Sequence, residues 1–277
     1  MGRLIAVVLF IALMAPAGLL ARGWSLASGR RAVASAAVEF VPVTPAATAQ
    51  LTRQAAHGRR VRQLGFVLGV ALIVTSVVLF AEASVFLWAP ALAVGLLAGV
   101  LLAEVTRPRP RWALTSPARR PRRSEQISLW LLWTMRGVVA GEVAAGLLVA
   151  DGLGTATTAI ALAVPVAGWL LAEVALARVL VRPLPAEGAD VPVDEAQRTW
   201  TAHLVVAAAT VLAVLPLGAL LLRAAIDLDD RVAGDGAGLV PVALVAGGFS
   251  ALLAGLIVAG FLMTWLRSVR QTSPALA

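Results

Sequence analysis

An all-α, polytopic membrane helix bundle of about seven transmembrane helices is the fold class this sequence predicts, and three observations predict it. The 277 residues are 60% hydrophobic, with a mean hydropathy of +0.90, well above the roughly half-apolar composition of soluble domains. Apolar runs recur at the length of about 20 residues that crosses a bilayer as a helix. Arginine gathers between the runs on alternate sides, as cytoplasmic loops gather positive charge. Helix follows at every span because lipid offers no partner for open backbone N–H and C=O groups.

The spans are expected at residues 4–20, 64–80, 84–103, 128–149, 155–177, 203–223 and 238–265. The first belongs to an N-terminal transmembrane anchor, 1–22. Its basic start, Met1-Gly2-Arg3, also fits a signal peptide. Cleavage would leave seven arginines of the following segment outside, against the charge rule, so an uncleaved anchor is expected. Residues 23–63 form a cytoplasmic segment. In it Thr44 and Pro45 have the N-cap and first-turn chemistry of a helix beginning at about 45. That helix can run on into the second span, with Gly58 its weak point. Residues 64–277 form a six-helix body of three hairpins, 64–104, 128–177 and 203–266. Arginine-rich segments at 21–63, 105–127 and 178–199 and in the tail orient the chain N-out, C-in in the cytoplasmic membrane.

Two stretches repeat. "ALAVGLLAGVLLAEV" begins at Ala91 and "ALAVPVAGWLLAEV" at Ala161, and each ends a hairpin on the arginine-rich side. The pattern is a duplicated two-helix unit, with 203–266 a third, decayed copy. The LLAEV motif, the RPRPR run and "RWALTSPARRPRR" together resemble a loose group of uncharacterised Ala/Arg-rich polytopic membrane proteins of actinobacteria. The resemblance covers roughly residues 38–183 and implies a multi-pass cytoplasmic-membrane protein; it carries no active site.

Composition removes several function classes. All 23 basic residues are arginine, so a P-loop lysine is absent. With no cysteine and only His57 and His203, thiolate and His-cluster metal sites are excluded and no cofactor is implied. The net charge of +8 is read as arginine-rich loops facing anionic lipid headgroups, not as a nucleic-acid surface. The acidic stretch from Asp227 to Asp235 lacks EF-hand spacing and is expected to be a solvated outer loop.

Charges inside the spans need a reason, because each costs about 2.5–3.5 kcal/mol at a helix centre. Counting from Ala83 as the first turn, Glu104 lies 21 residues after it and Arg62 21 before. Counting from Leu153, Glu173 lies 20 after and Arg136 17 before. The three-residue offset is about 4.5 Å along the axis, within an arginine's reach. The expected roles are structural ion pairs, Arg62 with Glu104 and Arg136 with Glu173, that fix hairpin register.

Glu142 differs. It lies 11 residues before Leu153, level with residues 164–165, and no cation shares its depth. Proton relays and ion-coupled transporters use such carboxyls. Pro165 opposite it frees a backbone carbonyl that can join an ion site. The alternative is a Glu hydrogen-bonded to a neighbouring helix. GxxxG occurs at Gly65–Gly69, Gly95–Gly99 and Gly137–Gly141 and permits close helix packing.

The expected function is therefore a non-enzymatic component or partner subunit of a membrane assembly, with a membrane-protein partner or a second copy of the chain. The alternative is a small-solute or proton-coupled ion transporter using Glu142. An intramembrane enzyme fits least, since neither histidine is deep enough to act as base.

Overall fold

A computed structural model describes residues 45–80, 88–108, 126–148, 155–181, 191–232 and 239–268. Among them are six helices and no strands: α1 (Pro45–Phe80), α2 (Trp88–Val105), α3 (Leu129–Leu148), α4 (Thr155–Val181), α5 (Val191–Val232) and α6 (Leu239–Ser268). All six are long and apolar enough to cross a membrane, so the chain is a multi-pass helical bundle. The span expected at 4–20, both turns used for depth counting and most of the arginine-rich linker after α2 lie outside the described residues.

Prolines mark where the helices begin. Pro45, Pro90, Pro192 and Pro241 all stand within the first three positions of their helices, where the missing N–H has no helical acceptor to lose. Only Pro165 in α4 and Pro216 in α5 lie inside a described helix.

Helix α5 is the axis of the bundle. In its most apolar stretch 61% of residues are buried, against 17–39% for the other five. Helices α2, α3, α4 and α6 pack against it, and α1 packs on α2 at the edge. The core joins Leu97, Leu101, Met135, Ala172, Val205, Val206 and Leu212.

Glycine sets two of the helix pairs. A Cβ on Gly65 would lie 2.6 Å from the Gly95 carbonyl oxygen and 2.6 Å from Gly99 Cα, and one on Gly95 would strike the Gly69 backbone. The α1–α2 pair is thus backbone against backbone, one GxxxG laid on another. Gly218 of α5 and Gly248 of α6 meet in the same manner, each added Cβ falling 2.9 Å from the other's carbonyl oxygen. The third GxxxG behaves differently: among the described residues nothing lies within 4 Å of a Cβ on Gly137 or Gly141.

Helix α1 begins at Pro45 and runs on into the second span, unbroken through Gly58. Gly58 is buried there, and Arg62 Nη1 lies 3.2 Å from where its Cβ would be, so the guanidinium shields the exposed turn. Helix α5 begins at Val191 and ends at Val232. Asp227, Asp229 and Asp230 therefore lie on its last turns and not in a loop.

Polar contacts tie one end of the bundle together. Gln54 of α1 accepts from Gln197 of α5 at 3.2 Å and from Arg107 just past α2. His57 meets Thr106 Oγ1 at 2.8 Å, and Gln50 donates to the Pro108 carbonyl at 3.2 Å. Thr199 donates to Gln126, ahead of α3, at 2.8 Å. Arg198, 6% exposed, binds Asp194 at 2.7 Å and donates to the Leu180 carbonyl at 2.8 Å. That carbonyl is one of the last four of α4, which have no acceptor role left inside the helix. Arg198 of one helix thus caps the end of the one before it. Arg198→Leu is expected to lower stability by about 1–3 kcal/mol, because it removes the buried charge partner of Asp194 and leaves the α4 carbonyls without their donor. Thermal denaturation in detergent measures it, and a loss below about 0.5 kcal/mol would show that solvent replaces the cap.

Candidate functional site

Helix α3 buries one stripe: Leu132, Met135, Val139, Glu142 and Gly146. The spacing alternates three and four residues, the period of a single helix face. Glu142 occupies the middle of that stripe. It is 0% exposed, and neither carboxylate oxygen has a hydrogen-bond partner among the described residues.

Contacts one turn along fix what surrounds it. A Cβ on Gly146 would lie 2.7 Å from Leu162 Cδ2 of α4 and 3.5 Å from Leu220 Cδ1 of α5. Helix α4 runs antiparallel to α3, so stepping back one turn on α3 from Gly146 advances α4 to the level of Pro165. Helix α5 runs parallel to α3, so the same step moves from Leu220 back to Pro216. Leu212 packs against Gly168 of α4, 3.2 Å from its Cβ position. Leu212, Pro216 and Leu220 stand at i, i+4 and i+8, so Pro216 shares the face that α5 turns toward α3 and α4. Both interior prolines of the described helices therefore lie at the depth of the one carboxyl in the core. Each leaves a backbone carbonyl one turn earlier, at Ala161 and Leu212, without its helical donor.

A second orphan lies nearby in the fold. Trp169 of α4, packed against the core, has a buried indole N–H with no partner among the described residues. It stands one turn from Pro165 toward the polar end of the bundle.

The four ion-pair residues divide. Arg136 donates from Nη2 at 2.7 Å and from Nε at 3.3 Å to the same oxygen of Glu173. The pair is 31% and 21% exposed, and the Trp133 ring lies 5.4 Å from the guanidinium carbon. The structure does not bring Arg62 and Glu104 into direct contact. Glu104 is bridged instead by Arg107 at 3.4 Å, three residues on, and acts on Arg62 only across a longer distance. The reason is the lean of helical side chains toward their own N-terminus. In an antiparallel pair at equal depth, such side chains lean away from each other. Arg62 lies back over Gly58 accordingly. Arg136 starts three residues deeper than Glu173, so their leans converge. Equal depth was the wrong criterion, and the offset is what makes the second bridge.

Sequence reasoning missed Pro216, the orphan N–H of Trp169 and the Arg198 cap. Depth counting relates the two helices of one hairpin and cannot place α5 beside α3. The signal for Pro216 was present: interior proline in a span is rare enough to ask what faces it. Comparison with known proteins finds no matching family, no matching curated protein and no matching solved structure.

Proposed function

We propose that this chain is a non-enzymatic, multi-pass protein of the cytoplasmic membrane that couples movement of a small solute or ion to protons through Glu142. The observation that carries the reading is a fully buried glutamate with neither oxygen partnered among the described residues, at the depth of two proline-interrupted helices. Burying a polar group without a partner is costly. A position that keeps such a group is a functional-site hypothesis by default inside a membrane. Beside this carboxyl, about one turn away at most, stand the two carbonyls released by Pro165 and Pro216, acceptors that suit a proton or a small cation.

The test is reconstitution into liposomes holding a pH-sensitive dye, challenged with a panel of small organic solutes and salts. Solute-dependent proton movement is expected from the wild-type chain and is abolished by Glu142→Gln. Movement that survives the substitution, or none from the wild type, removes the reading.

The partner-subunit reading rests on a different observation, the open Gly137–Gly141 face of α3 beside exposed Trp133 and Leu148. It predicts a membrane protein that co-purifies after mild detergent extraction and is lost with Gly137→Leu.

The absence of cysteine makes orientation testable directly. In the N-out, C-in arrangement, single cysteines at Ser84 and Gly236 react with a membrane-impermeant thiol reagent applied outside, and cysteines at Thr115 and Asp190 do not. Labelling at Thr115 inverts the arrangement.

A further inference from the structure

We infer that Glu142 exchanges its proton with the polar end of the bundle through water admitted along one face of α4, ordered by a hydrogen bond from the Trp169 N–H and closed off by the Arg136–Glu173 bridge. The inference rests on the reading of Glu142 as the coupling carboxyl and adds the path, the direction and the closing element.

Three residues of α4 stand at i, i+4 and i+8: Pro165, Trp169 and Glu173. Residues four apart lie on one helix face. Each step is about 6 Å along the axis, which two hydrogen bonds through one water span. The first rung is at the level of Glu142. The second carries a buried N–H without a partner among the described residues. The third is a carboxylate, half-buried at the polar end and already engaged by Arg136. An unpartnered acceptor, an unpartnered donor and a charged group thus follow one another outward at a spacing that single waters bridge; the indole N–H donates to such a water and holds it, and the water carries the proton.

The neighbouring helices make this end the nearer source of polar groups. No charged residue of α4 lies within one turn of Pro165, and none of α5 within one turn of Pro216. The nearest partly buried charged group on α4 is Glu173, and His203 lies further along α5 at the same polar end, whereas Arg223, toward the opposite end of α5, is exposed. The core beside the ladder is made of small side chains, with Gly168 buried and Ala172, Ala208 and Ala209 at 0% exposure. The bridge sits across the mouth of the ladder. Arg136 Nη2 and Nε both bind one Glu173 oxygen, and the Trp133 ring holds the guanidinium on its other side. Neutralising Glu173 frees Arg136 to extend toward the headgroups, as long cationic side chains do near helix ends.

The experiment is hydrogen–deuterium exchange of the Glu142 carboxyl in the full chain in lipid. It is followed by infrared spectroscopy after transfer to heavy water, with the band assigned by its loss in Glu142→Gln. Glu173→Gln is expected to speed exchange about tenfold by opening the route. Trp169→Phe, which keeps the ring and removes the N–H, is expected to slow it about tenfold, the change that one lost hydrogen bond in a barrier produces. Equal rates in all three overturn the route and leave the role of Glu142 standing. Slower exchange in Glu173→Gln overturns it too, since the bridge would then conduct and not close. No carboxyl band lost in Glu142→Gln at any pH removes Glu142 itself as a protonatable site, and the proposed function with it. Trp169→Phe is read only if its thermal midpoint matches wild type, and the Glu173→Gln arm decides alone otherwise.

Discussion

Gly95→Leu is expected to destabilise the bundle by about 3 kcal/mol, the upper end of what overpacking costs. The added Cβ meets the Gly69 backbone and lies 2.6 Å from the Gly65 carbonyl oxygen. Backbone cannot rotate aside as a side chain can, so α1 and α2 must separate along the whole crossing. Lipid tails are as apolar as leucine, so close backbone approach is a large part of what holds such a pair together. Gly137→Leu supplies the control. Its motif is written the same way, yet among the described residues nothing lies within 4 Å of the added Cβ, and the expected change is within about 0.5 kcal/mol. Thermal denaturation of both variants in one detergent checks the pair. Equal losses would show that the close backbone approach at Gly95 is not what holds the α1–α2 pair, since leucine favours helix over glycine at both positions.

Glu142→Met is expected to stabilise the protein by about 1–3 kcal/mol, the penalty of a buried polar group without a partner. Methionine matches glutamate in length, bends to fill the site and asks for no hydrogen bond. The same change is expected to end proton movement in liposomes. Gain in one property with loss in the other is the signature of a residue kept for work at the expense of stability. A drop in thermal midpoint would mean that the carboxyl is held by a partner and contributes to the fold.

The spans were legible because their signal is length and apolarity, which bilayer thickness fixes. Four of the expected body spans coincide closely with helices; α1 begins well before its span, and α5 exceeds its span at both ends, its first turns held by Arg198, Asp194 and Gln197. Those contacts come from residues far apart in sequence, where hydropathy says nothing. The same limit governs the site. Glu142 was legible as a charge out of place, and Pro165 as its hairpin neighbour. Pro216 was not, because nothing local orders non-consecutive helices. The Arg62–Glu104 expectation failed for another reason: it compared Cα depths, while charge is carried at the end of a side chain with a direction of its own.

The polar clasp at the bundle end also has a timetable. Its bond between Gln54 and Gln197 spans 143 residues. The α1–α2 glycine contact needs only neighbours in sequence and can form as soon as both helices leave the translocon. The clasp has to wait until α5 is made, about 6–25 seconds later at elongation rates of about 5–20 residues per second. During that interval the Gln54–Arg107 contact already joins α1 to the end of α2, and the arrival of α5 with Gln197 ties that pair to the helix on which α2, α3, α4 and α6 pack.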